Sequence, residues 1–128
     1  MAALLAELGY PADASAVRDR LARLTARSDV AVFVADDDAA AAGLATVHVI
    51  PCIHIDEPMA MLSALVVGER HRGRGIGRGL VTAAERWAIE HDAPRMTLVS
   101  GLARHDAHRF YERLGYEHTG RRYAKILT

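Results

Sequence analysis

Residues 65 to 80 read Leu-Val-Val-Gly-Glu-Arg-His-Arg-Gly-Arg-Gly-Ile-Gly-Arg-Gly-Leu. An apolar run, a glycine-rich stretch and the start of a helical spacing follow one another. The first turn of a helix offers free N–H groups and the positive end of its dipole, which together bind anions. Glycines let an anion approach the backbone closely. From Glu69 to Arg78 there are four arginines against one glutamate, in a chain of formal net charge +0. Arginine at a helix N-terminus opposes the dipole by ~0.3–1 kcal/mol each. A bound polyanion turns that cost into a gain. The segment therefore reads as a phosphate-binding loop.

Two familiar phosphate motifs fail on it. The pattern G-x-x-x-x-G-K-[ST] needs a Lys followed by Ser or Thr, and neither stands here. The pattern G-x-G-x-x-G places Arg78 or Leu80 where its third glycine belongs. What the residues do satisfy is Arg72-x-x-Gly75-x-Gly77. A second block lies downstream: Ala107-His-Arg-Phe110-Tyr111-Glu-Arg-Leu114-Gly115-Tyr116.

Other reactive residue types are weaker pointers. His105 and His108 are three apart with Asp106 between them, but no second pair completes a four-ligand site, so no metal is expected. Cys52 is the only cysteine, which excludes an intrachain disulfide and a multi-cysteine metal site. It has no base and orienter in its pattern, so it reads as a small core thiol. Ser100-Gly101 lacks the G-x-S-x-G elbow. His48, His54 and Glu57 lie on or just after an expected strand and are candidate proton acceptors.

The elements that must hold these groups follow from periodicity. Ala2 to Leu8 reads as a short helix, and Asp13 or Ser15 can cap a second one, with Val17, Leu21 and Leu24 on its apolar face. Strands are expected at Val30–Ala35, Gly43–Ile50 and Met59–Val67, with Asp36-Asp37-Asp38 as a turn. A helix begins at Ile76, its apolar residues falling at 76, 80, 83, 84, 87 and 88. Met96–Val99 is strand-like. Ala107, Phe110, Tyr111 and Leu114 mark another helix, which Gly115 ends in a left-handed cap. Tyr123–Leu127 reads as a last strand, with a further one near Tyr116–Thr119. The order is ααβββαβαβ(β): one α/β (α+β) domain over residues 1–128 with a mixed sheet flanked by helices.

The chain has 128 residues, 51% hydrophobic and 25% charged, the proportions of an ordinary globular domain. Balanced charge and 5% aromatic residues speak against a nucleic-acid module. No apolar run approaches the ~18 residues of a membrane span. The start lacks a basic region and carries Glu7, so a secretory leader is not expected and a cytoplasmic protein is.

Both blocks, in this element order, resemble the GNAT superfamily of acyl-CoA-dependent N-acyltransferases. Its cofactor loop reads [Q/R]-x-x-G-x-[G/A] between strand and helix, and its later block reads A-x-x-[LF]-Y-x-x-x-G-[FY]. The resemblance implies a mostly antiparallel mixed sheet and acetyl-CoA as cosubstrate. It implies that backbone groups from Arg72, Gly73, Arg74, Gly75, Ile76, Gly77 and Arg78 hold the CoA pyrophosphate. Leu65, Val66 and Val67 would pair with the pantetheine arm, and the N–H near Val67 would face the developing oxyanion. Tyr111 would be the general acid for the departing thiolate. The family's Asn seven residues before that Tyr is Arg104 here, which could meet a phosphate instead. The family's acidic base would fall near Ser63 or Ala64, neither ionisable, so the base stays open among His48, His54 and Glu57. The family's first strand precedes its first helix, and this chain begins in that helix. An open sheet edge of that kind invites a homodimer. The implied reaction is acetyl transfer to a primary amine of a small molecule or peptide. The alternative is a CoA-binding sensor without turnover.

Overall fold

The computed structural model describes residues 3–4, 13–37, 40–99 and 105–128. The chain divides into two compact units, Met1–Leu98 and Val99–Thr128.

The first unit opens with α1, Ala14–Thr25. Asp13, and not Ser15, is its cap: Oδ1 accepts from the Ala16 N–H at 2.7 Å. A cap of this kind is worth about 1 kcal/mol. Val17 is buried on the inner face, with Leu21 and Leu24 half-buried. Three antiparallel strands follow: β1, Val30–Asp37; β2, Ala40–Ile50; and β3, Met59–Val67. Asp36 and Asp37 belong to β1, where a turn was expected; residues 38 and 39 lie outside the described residues. A short β4, Met96–Leu98, runs parallel to β3, giving the sheet order β1-β2-β3-β4. Between β3 and β4 lie a 3-10 turn, Glu69–His71, and α2, Ile76–Glu90.

The sheet buries residues on both faces. Leu44 and Val66 pack with Leu4 on one face, with Val32 and Ala41 against them. The other face carries α2, whose Leu80, Val81, Ala84 and Ala88 are buried at helical spacing. Each fully buried Val or Leu side chain contributes roughly 1.5–3 kcal/mol. Gly43 sets how closely α2 rides on β2. A Cβ there would lie 2.8 Å from Leu80 Cδ1 and 3.1 Å from Ile76 Cγ2. The N-terminal helix expected over Ala2–Leu8 is described only at residues 3 and 4, which are helical.

The second unit contains α3, His105–Arg113. Gly115 adopts φ 93, and the Tyr116 N–H donates to Tyr111 C=O at 3.0 Å while the Gly115 N–H donates to Glu112 C=O. That pair of bonds is the Schellman ending. The strands expected at Tyr116–Thr119 and Tyr123–Leu127 do not form; residues 116–128 carry no strand. Strand-forming residue types permit an extended chain, but a strand also needs a neighbour's backbone. None of the described residues supplies one. Tyr123, Ile126 and Leu127 are 87%, 85% and 88% exposed.

Candidate functional site

Two bulges shape the sheet around the glycine-rich loop. Between β2 and β3 the register passes from Thr46↔Ala64 to Val47↔Leu62, leaving Ser63 without an opposite residue. Between β1 and β2 it passes from Ala35↔Gly43 to Asp36↔Ala41, leaving Ala42 unopposed. Bulges bend a strand and re-aim its side chains.

On one side, no strand among the described residues pairs with the end of β3. The Gly68 N–H donates to Ala42 C=O on β2 at 2.8 Å. Backbone groups alternate sides along a strand. Those of Val67 and Leu65 therefore point away from β2, toward the side of β4. β4 pairs with β3 only at Ala60, Met61 and Leu62. From Ser63 onward no described strand occupies that side. Leu65 to Val67 thus line an open strand edge, with the Val67 carbonyl accepting from Arg72 Nε at 3.3 Å.

The loop begins where that edge ends. The His71 N–H donates to Gly68 C=O at 2.8 Å and closes the 3-10 turn. Gly73 and Gly75 both have positive φ, 81 and 79. L side chains rarely take this conformation. A Cβ at either position would meet no protein atom within 4 Å, so the backbone is open to solvent there. Gly75 is also the N-cap of α2, and it has no side chain to bond the first N–H groups. The first bond of the helix reaches back from the Gly79 N–H to Gly75 C=O at 3.0 Å. The N–H groups of Ile76, Gly77 and Arg78 precede it and face outward. Arg70, Arg72, Arg74 and Arg78 are all exposed.

Asp37 was not foreseen. From the end of β1 its Oδ2 accepts from His71 Nδ1 at 2.9 Å and from Arg74 Nη1 at 2.8 Å. A carboxylate only accepts, so Nδ1 carries the hydrogen. An acidic run between two strands reads as a turn, and nothing in the order of residues links position 37 to 71 and 74.

A second polar cluster sits on the face of the sheet away from Gly43. His48 Nε2 lies 2.6 Å from Ser63 Oγ, and Ser63 Oγ donates to Thr46 C=O at 3.3 Å. Ser63 has one hydrogen, so both bonds coexist when Nε2–H donates to Ser63. That tautomer leaves Nδ1 as the basic nitrogen. Burial pushes the His48 pKa down from 6.5; Asp29 pulls it up and Arg27 pushes it down. The ring is thus neutral at pH 7. His54 and Glu57 lie exposed in the segment 51–58, and no described hydrogen bond joins them to His48 or Ser63. Cys52 is half-buried, its thiol donating to Ile50 C=O at 3.4 Å.

Tyr111 belongs to the second unit. It is half-buried, edge-on to Phe110 with centroids 5.3 Å apart and to Tyr116 at 6.0 Å. Arg104 lies outside the described residues. No helix among the described residues is long and apolar enough to cross a membrane.

Comparison with known proteins points the same way as the loop. The profile of the acetyltransferase (GNAT) family matches residues 3–116. The aminoalkylphosphonate N-acetyltransferase of Salmonella typhimurium is 34% identical over 85 residues, 66% of this chain and 55% of that protein. The chain therefore spans about half the length of that relative. Among solved structures, a GNAT family acetyltransferase of Staphylococcus aureus aligns with TM-score 0.83 and 21% identity, over 98% of this chain and 86% of its own. An aminoglycoside N-acetyltransferase in complex with CoA aligns with TM-score 0.77 and 22% identity, over 89% and 90%. At these identities the two structures speak for the fold.

Proposed function

The chain belongs to the acetyltransferase (GNAT) family, and from that premise we propose that it transfers acetyl from acetyl-CoA to a primary amine by direct attack in a ternary complex. One observation carries the reading. A strand edge freed of β4 after Leu62 runs straight into a two-glycine turn and an uncapped helix start. That is a slot for an amide-bearing arm ending in a cradle for a pyrophosphate.

In this reading the N–H groups from Gly73 to Arg78 hold the pyrophosphate, and the backbone groups of Leu65 and the Val67 carbonyl bond the pantetheine amides as an added strand would. The Val67 N–H faces the acetyl carbonyl and stabilises charge as it develops on the oxygen. The acceptor amine attacks only as the free base. His48, neutral and held by Ser63, takes its proton through Nδ1 by way of bridging water, since it pairs with Met61, five positions along β2 from the Gly43–Val67 pair. It stands beside the bulge where the resemblance would put a carboxylate, and it is preferred over His54 and Glu57 because only His48 is fixed in a polar cluster. As the C–N bond forms, the C–S bond breaks. The thiolate takes a proton from Tyr111, the role implied by the block Ala107–Tyr116. The products are the amide and CoA thiol.

Aminoalkylphosphonates and aminoglycosides, named for the relative and the CoA-bound neighbour, head the acceptor screen, followed by amino acids and peptide N-termini. Acetyl-CoA raises the melting temperature saturably, by the equivalent of ~2.7 kcal/mol at about 100 times its dissociation constant. Thiol release follows with at least one amine. No melting shift at millimolar acetyl-CoA overturns the reading. Binding without turnover on any amine favours a CoA-binding sensor.

A further inference from the structure

We propose that Asp37 is a positioning residue for the pyrophosphate loop, holding the turn at Gly73–Gly75 in its receiving shape from outside the loop. The inference rests on the acetyl-CoA reading above and adds a residue to it.

The bulge at Ala42 carries the argument. It shifts the register between Ala35 and Asp36, so the last two residues of β1 are displaced relative to the rest of the strand. The same Ala42 accepts the Gly68 N–H at 2.8 Å. One irregularity thus fixes where the loop leaves the sheet and where Asp37 stands beside it. Asp37 then reaches the loop at two points three residues apart. His71 closes the 3-10 turn, and Arg74 lies between the two left-handed glycines. The carboxylate is 30% exposed and the imidazole 21%, so the first bond is partly shielded from water. Arg74 is 61% exposed and bonds Asp37 through Nη1.

Charge alone predicts the opposite of this role. A carboxylate beside a site for a polyanion repels it, and it also occupies an arginine that could bind phosphate. If charge decided, removing Asp37 would tighten CoA binding. If shape decides, removing it loosens binding, because glycine-rich backbone without its tether spends less time in the receptive conformation. An apparent dissociation constant rises by the reciprocal of the competent fraction, so a fall to about one tenth gives about a tenfold loss.

The test measures CoA dissociation constants by titration calorimetry for the wild-type chain, Asp37→Ala and Asp37→Asn. Apo melting curves establish that each variant is folded. Asp37→Ala weakens CoA about tenfold. Asp37→Asn, which keeps one acceptor oxygen of the same reach, recovers part of the loss although it lacks the charge. With an acceptor amine in hand, the loss falls on KM for acetyl-CoA and not on kcat. Unchanged or tighter CoA binding in a folded Asp37→Ala overturns the proposal, as does Asn behaving no better than Ala. Wild-type protein that fails to bind CoA defeats the underlying reading instead, so the two failures are distinguishable.

Discussion

In the proposed mechanism Tyr111 and His48 divide the proton work, and their environments make different predictions. The ring of Tyr111 packs against Phe110 and Tyr116 whether or not its hydroxyl reacts. Tyr111→Phe keeps that packing, so the melting temperature should change little. Loss of general acid assistance is typically ~10²–10⁴-fold, and kcat should fall by about that much while KM for acetyl-CoA holds. Near wild-type turnover with chemistry rate-limiting would remove Tyr111 from the mechanism. For His48 the direction of the pKa fixes the sign. Burial lowers it from 6.5, so the folded protein sheds that proton more readily than the unfolded chain. Stability contributed here is complete above the unfolded value and is lost as pH falls through the lower folded one. The basic form accumulates over the same range. The acid limb of the rate profile should therefore have its midpoint below 6.5, and His48→Gln should abolish that limb. A limb unmoved in His48→Gln would assign it to another group.

Two glycines on neighbouring elements are needed for opposite reasons. Gly75 has open space around a notional Cβ but a φ of 79, so a side chain there strains the backbone alone. The left-handed conformation costs an L-residue roughly 1–2 kcal/mol, and a β-branched one more. Gly43 has no such strain, but a Cβ would press on Leu80, itself 5% exposed and confined in the core. Overpacking of this kind costs roughly 1–3 kcal/mol. Gly43→Ala should lower the apo melting temperature and keep the rise caused by acetyl-CoA. Gly75→Val should lose that rise while staying folded. Melting curves with and without acetyl-CoA check both; a Gly75→Val protein that keeps the full rise would acquit the loop. The same contrast shows what a sequence discloses. The glycines of an arginine-rich loop, the bounds of β3 and the start of α2 are local patterns, legible at Gly75, at Met59–Val67 and at Ile76. The bulges at Ala42 and Ser63 depend on pairing between strands, and the Asp37 tether depends on the first. Tyr123–Leu127 has the apolar residues of a strand and forms none among the described residues, because apolar composition does not supply a partner.

At the scale of the whole chain, the sheet has an end that invites association. β1 is bonded to β2 on one side and, among the described residues, to no strand on the other. Edge strands are commonly guarded by charges or bulges. Here both guards gather at one end: the bulge at Ala35/Asp36 and the carboxylates of Asp36 and Asp37. The stretch Val30-Ala-Val-Phe-Val34 carries no charge, and Val34 is 39% exposed. Its outward N–H and C=O groups can pair with the same edge of a second copy, which would continue the sheet across a twofold axis. Light scattering should therefore give a mass that rises above 13.9 kDa with concentration. Val34→Lys should return it to the monomer, since each copy would then place a charge in the joined edge. A clean monomer at high concentration would show that the edge is guarded within the chain. An association unaffected by Val34→Lys would move the interface elsewhere. The described bonds between the loop and β1 are made at Asp37, the strand's last residue, outside the pairing stretch Val30–Val34. Acetyl-CoA should therefore leave the monomer–dimer balance unchanged, and a dimer strengthened by acetyl-CoA would refute pairing through β1 alone.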